Sequence, residues 1–323
     1  MAYTNIDKPT DYFDTKLYTG NAGTQSITMD FATDFIWNKQ RNGTLENYLF
    51  NSVTGTGKFL KSNSTAAEGT NTSTVTSFNS DGFTLGSAAG NNGSGNTMVS
   101  WNWKETATAG FDIVLYTGNG SNRTISHSLS AVPKMIIIKD RSAADNWNVY
   151  NSSSGNNSHM HLNLTNAASG SSSYWNTTTP TSSVFSLGSN SAVNANGNNF
   201  IAYCFADVQG YSKFGSYTGN GSTNGTFVYT GFKPAFVMVK RTDSTANWQI
   251  LDNKRNPYNP CNTALFPDTT DPDTTDYSTD HLSNGFKLRV TTTSRNGSGA
   301  TYIYMAFAEN PFVTSTAIPA CAR

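Results

Sequence analysis

The sequence predicts an all-β protein made of three tandem β-sandwich modules of about 100 residues each. Three observations carry that prediction. A turn-like phrase recurs: "YTGNA" at 18–22, "YTGNGS" at 116–121 and "YTGNGS" at 217–222, so that Tyr18, Tyr116 and Tyr217 stand 98 and 101 residues apart. Apolar runs of four to eight residues, rich in Val, Ile, Phe, Tyr and Trp, alternate with clusters of Gly, Asn, Ser and Thr, the pattern of a sandwich. A helical i, i+3, i+4 stripe is nearly absent.

Each module can be followed in order. The Tyr-Thr-Gly-Asn-Gly phrase predicts a tight hairpin or bulge, because Asn-Gly accepts positive φ cheaply, while the Tyr packs on a sheet and its hydroxyl finds a partner. Next come "DFIWNK", "KMIIIK" and "AFVMVK", strand-like runs ending at Lys39, Lys139 and Lys240. "DNWNVY" and "ANWQIL" then place Trp147 and Trp248 at one offset, where the first module offers Tyr48. "DGFTLG", "SVFSLG" and "NGFKLR" keep register, and "MVSWNWKE" (from 98), "FIAYCFAD" (from 200) and "YIYMAFAE" (from 302) close the modules at a step of 102 residues. In those closing strands Trp101 with Trp103, Tyr203 with Phe205, and Met305 with Phe307 share a face.

The resulting limits are an N-terminal arm (1–12), modules at 13–106, 111–208 and 214–310, and a C-terminal tail (311–323). A period this long exceeds solenoid units, so each copy is expected to hold its own core. A jelly-roll or lectin-like sandwich of about six to eight strands, with the last strand inside its sheet, is the expected module. Short connections predict modules that touch in a fixed arrangement.

Charged residues are only 13% of the chain, against a usual quarter or so, and uncharged polar residues must cover the surface. Aromatics at 12% argue for a folded chain. Lys plus Arg and Asp plus Glu are each 21, so clustered cationic charge for a nucleic-acid partner is absent. The N-terminus reads as neither a signal peptide nor a span, and no membrane insertion is expected. Cys204, Cys261 and Cys321 show no paired spacing, which fits a reducing compartment.

Candidate chemistry is sparse, and no cofactor is expected. His159 and His161 in "HMH" point to one face of a strand, with no third ligand spaced to help. His127 and His281 have no obvious partner sequence. The stretch "PDTTDPDTTDYSTDH" gathers Asp268, Asp271, Asp273, Asp276 and Asp280; it reads either as a calcium loop or as a solvated Asp-Thr-Pro loop, and it lacks EF-hand spacing. Glu105, Asp207 and Glu309 recur just after the closing strands and are expected to pair with Lys39, Lys139 and Lys240 rather than to work as a glycosidase acid pair. Tyr174 and Trp175 in "SSSYWNTTT" read as exposed loop aromatics that stack on sugars or anchor the loop.

At "FIAYCFADVQGYSKFGSYTGNGS" (200–222), "YIYMAFAENPF" (302–312) and "YTGNGSNRTISHSLSAVPKMIIIKDRSAADNWNVY" (116–150) the sequence resembles tail-fibre-like or other structural virion proteins of marine bacteriophages, including those of cyanobacteria. The ending "IPACAR" resembles that family's short basic C-terminus, whereas the first module departs by lacking the Pro and the Asn-Trp pair. The resemblance implies a non-enzymatic virion component on the particle surface, assembled in the host cytoplasm. Its implied partners are other tail or capsid proteins and a host surface glycan or protein, with a homo-oligomer such as a trimer as the assembly. A tail-associated receptor-binding role is the first expectation. The alternatives are a head decoration or vertex protein whose three modules occupy a pseudo-threefold site, a free lectin, and a glycan-degrading enzyme.

Overall fold

The computed structural model describes residues 2–321. The first repeat contains β1 (Phe13–Thr19), β2 (Gln25–Thr28), β3 (Phe35–Gln40), β4 (Tyr48–Asn51), β5 (Lys58–Lys61), β6 (Gly69–Thr70), β7 (Val75–Asn79), β8 (Gly82–Leu85) and β9 (Thr97–Trp103). An inner sheet runs β1-β9-β3-β4-β5-β6 and an outer sheet runs β2-β8-β7, each pair antiparallel. The closing strand β9 therefore lies inside the inner sheet, as expected. The second repeat keeps the six-stranded inner sheet and reduces the outer one to Arg123–Ser126 beside Val184–Leu187. The third has a four-stranded inner sheet, and loop 253–278 takes the place of the fifth strand, meeting the fourth through the Ile250–Leu265 bridge.

The protein is all-β. The architecture is a sandwich in each repeat, but with unequal sheets of four to six and two to three strands, not the two equal sheets of a jelly roll.

The recurrent glycine phrase is not a hairpin, which corrects the expectation. β1 pairs with β9 in the inner sheet and β2 with β8 in the outer sheet, so the phrase carries the chain from one layer to the other. The first Gly is required by close approach: a Cβ at Gly20, Gly118 or Gly219 would lie 2.2, 2.1 or 2.4 Å from a carbonyl oxygen of the segment opposite. Two residues later the backbone is left-handed, at Gly120 (φ 70°), Gly221 (φ 66°) and, in the first repeat, Ala22 (φ 54°), where a Cβ is strained.

Alternation along the closing strands decides the core. Val99, Trp101 and Trp103 face the same way as Ile201, Tyr203, Phe205 and Ile303, Met305, Phe307, and all nine lie in one apolar cluster. The opposite faces of the inner sheets pack on the outer sheets in three smaller clusters, one per repeat. The expectation that each copy holds its own core is thus half of the arrangement. Every inner sheet has two apolar faces, and the one without an outer sheet is covered by the other two modules. Aromatic contacts cross between modules there: Phe35 to Tyr203 at 4.5 Å and Phe13 to Phe307 at 5.0 Å. The N-terminal arm joins in, with Ile6 in the shared core and the Tyr3 hydroxyl donating to Gly231 O at 2.7 Å. In the C-terminal tail Ser315 N donates to Asp7 at 2.6 Å; Ala322 and Arg323 lie outside the described residues.

Candidate functional site at the module seams

Three buried lysines hold the modules together. Lys39, Lys139 and Lys240 end equivalent strands and are fully buried. Each sends its ammonium across to one carbonyl of a neighbouring module: Lys139 Nζ to Thr65 O at 3.1 Å, Lys240 Nζ to Thr165 O at 2.9 Å, Lys39 Nζ to Thr270 O at 2.9 Å. Their remaining donors go to loop carbonyls of their own modules, such as Ala143, Ala246 and Leu45. Module two reaches module one, three reaches two, and one reaches three, so the seams close a ring. Burial pushes each lysine down to about 8, since carbonyl dipoles replace only part of the lost hydration.

The same cycle is repeated by backbone and ring donors. Glu68 N to Arg141 O, Ala168 N to Thr242 O and Asp273 N to Arg41 O bridge the seams at 3.0, 2.9 and 2.8 Å. Trp147 Nε1 donates to Lys61 O at 2.8 Å and Trp248 Nε1 to His161 O at 2.9 Å, both across a seam. Strand register places Asn47 at that offset, because Tyr48 and Asn148 pair with Lys61 and His161. This corrects the match of Tyr48 to the tryptophans: Tyr48 points outward against Phe50 and Phe59. Asn47 Nδ2 reaches Phe266 O at 3.2 Å and Thr269 O at 2.8 Å.

The expected pairing of these lysines with Glu105, Asp207 and Glu309 does not occur. Glu105 accepts from Ile113 N at 3.0 Å and Asp207 from Phe214 N at 2.8 Å, tying each module to the first strand of the next. Burial pushes Glu105 up to about 7, with the neighbouring Asp112 adding to the shift. Asp207 also pairs with Lys213 at 2.6 Å, and Glu309 lies 3.6 Å from Lys233.

The Asp-rich stretch is the third module's version of a seam. Asp268 stands where Asn63 and Asn163 accept from Asn47 N and Trp147 N, and burial pushes its carboxyl up to about 7. Asp273 stands where Glu68 does and binds Arg41 and Arg255 at 2.8 and 2.9 Å. Asp280 pairs with Arg289 at 2.5 Å, while Asp271 and Asp276 are exposed. Among the described residues no group of three His, Cys, Asp or Glu side chains could hold a metal ion. The aspartates thus do not converge as a calcium loop: arginines occupy two of them and a seam buries a third.

Trp175 corrects the reading of an exposed sugar-stacking ring. It is buried against Tyr150 and its Nε1 donates to Ser158 O at 2.9 Å. Tyr174 is half-buried and stacks on His159 at 3.7 Å. His159 and His161 do lie side by side, 5.3 Å apart, and burial pushes His159 down to about 4, leaving it neutral at pH 7.

The structure adds residues the sequence reading missed. Asn92, Asn194 and Asn296 are fully buried and clamp the glycine phrase. Asn194 Oδ1 accepts from Asn119 N, and its Nδ2 donates to Asn119 Oδ1, Ser121 O and Gly188 O; the other two repeat this set. The phrase's tyrosines bond the same turn, Tyr18 to Asn91 O, Tyr116 to Val193 O and Tyr217 to Arg295 O at 2.6 to 2.7 Å. A signal was present, since Asn-x-x-Gly recurs at 92, 194 and 296.

Fold and seams define a single-chain ring of three pseudo-equivalent β-sandwiches, in which one polypeptide supplies contacts that three subunits supply in a trimer. The chain belongs to the family described as "Domain of unknown function (DUF7483)", whose model matches residues 8–311. That span takes in all three modules, so the family's unit is the whole ring. None of the curated proteins compared matches the chain.

Proposed function

We propose that this chain is a non-enzymatic structural protein of a bacteriophage virion, displayed on the particle surface and tail-associated, where it contacts the host. The closed ring is the observation that carries this reading. Its titratable repeats, the three lysines and their neighbours, serve as seam fasteners, and the loops around them are rich in uncharged Asn, Ser, Thr and Gly. Such a body is stiff, because its largest core is shared by all modules, and stiffness suits a part that holds contact loops in place. The resemblance to marine phage virion proteins supplies the biological setting.

A second reading, a head decoration or vertex protein, is favoured by one specific feature: the modules are arranged around a pseudo-threefold axis rather than strung out, and a single chain of that symmetry fits a threefold lattice position. Immunogold electron microscopy of intact virions with an antibody to the full chain separates the two. Gold on the tail is the expected result, gold on the head selects decoration, and unlabelled particles overturn virion membership.

A further inference from the structure

The three seams are unequal. Arg141 of the second module grips Glu68 of the first through two parallel bonds of 2.8 and 3.0 Å. Arg41 of the first grips Asp273 of the third at 2.8 Å. At the seam between the second and third modules these positions hold Thr242 and Ala168, whose backbones keep the shared hydrogen bond at 2.9 Å. The frame is retained while both long side chains are gone. A third change falls beside them: Ser216 stands where the equivalent strands carry Leu17 and Leu115. All three changes border one groove of about 510 Å³, within the range of small-molecule sites, roughly 300–1,000 Å³.

We propose that this groove binds a neutral saccharide, a reading that rests on the host-surface contact proposed above and names its ligand class. The walls present hydroxyls of Ser153, Ser154, Ser158 and Thr218, donors and acceptors suited to sugar hydroxyls. Apolar surface comes from the half-buried Ala168, above a floor made by the buried Tyr217, Tyr302 and Ile303. The hydroxyls of Tyr217 and Tyr302 are committed to Arg295 O and Thr293 O, which leaves the serine and threonine hydroxyls as the groove's polar groups. Charge selects against other ligands. The lining contains no lysine or arginine to meet a phosphate or carboxylate, and its single carboxylate, Asp243, is held by Arg241 at 2.7 Å. Residues that would fill the groove are present at the other seams and are missing where the ligand would lie.

The test is affinity electrophoresis of the full chain through gels containing mannan, dextran or galactan as separate probes. Retardation by at least one of them is expected. The double variant Ala168→Glu with Thr242→Arg copies the Arg141–Glu68 pair and should weaken that retardation at least tenfold while thermal unfolding stays two-state. Should the double variant fail to fold, Ser216→Leu, an exposed change to the residue of the equivalent strands, is expected to weaken binding in the same direction. Absence of retardation by all three probes overturns the proposal, as does retardation that both sealed variants retain. Immunogold labelling does not depend on the groove, so labelled particles with a non-binding chain overturn the saccharide site alone.

Discussion

At two seams the group that crosses is an indole, and at the third it is a carboxamide. Trp147, Trp248 and Asn47 all finish on the carbonyl of the matching strand residue, Lys61, His161 or Phe266. The indoles also fill the shared core, which Asn47 cannot do. The Asn47 seam has other material: a second bond to Thr269 O, Ser62 Oγ donating to Pro267 O at 2.7 Å, and the chain Arg41–Asp273–Arg255–Asp252. Trp101 Nε1 joins that chain at Asp252, 3.1 Å away. The comparison teaches that the ring needs a donor at this position, and that volume is supplied by whichever neighbours the seam has.

The largest effect should come from breaking an indole seam. Trp248→Ala is expected to cost about 3–5 kcal/mol, the range for emptying a large buried aromatic site. Asn47→Ala should cost about 1–2 kcal/mol, the loss of two bonds to buried carbonyls. Chemical denaturation of both variants checks the order, and equal costs would refute the division between donor and volume.

Asp268→Asn sharpens the comparison by giving the third module the residue that Asn63 and Asn163 provide elsewhere. The buried carboxyl is held up to about 7, above its unfolded value near 4. Its contribution is therefore full below about pH 4 and lost as pH rises through 7. The variant should gain on the native chain between pH 5 and pH 8, by about 2–3 kcal/mol, since the native carboxyl loses about 1.4 kcal/mol per pH unit up to its folded pKa. Thermal melts at the two pH values read this directly, and a gap that shrinks with pH would contradict it.

The smallest effect is expected from Glu68→Ala with Arg141→Thr, which gives the first seam the residues of the open one. The pair is partly exposed, and such ion pairs contribute up to about 1 kcal/mol. A loss of several kcal/mol on denaturation would mean that the open seam is compensated by something other than its backbone bonds.

Much of this frame was legible along the chain. The steps between Tyr18, Tyr116 and Tyr217 count the modules, and alternation at Trp101 and Trp103 names a buried face. Lys39, Lys139 and Lys240 were visible as recurrent, but their partners are carbonyls of other modules, and a main-chain carbonyl leaves no trace in residue identity. Trp175 misled for a related reason. Its neighbours are Ser, Tyr and Asn, which suggest a surface loop, yet the ring folds back on Tyr150, 25 positions earlier. The Asp cluster was legible as composition only; that Asp273 answers Glu68 becomes visible once strand register aligns the seams.

By itself the sequence determined the local grammar: β-strands from alternation, turns at the glycine phrases, and three copies from recurrence. These depend on backbone sterics and on the two-residue period of a strand, which act within a few residues. The tertiary structure alone decided that the copies close into a ring, that their inner faces form one core, and that one seam of three stays open. Those outcomes depend on which carbonyl a buried lysine or indole meets across a seam, and on whether a facing pair such as Thr242 and Ala168 has the length to fill the space between two modules.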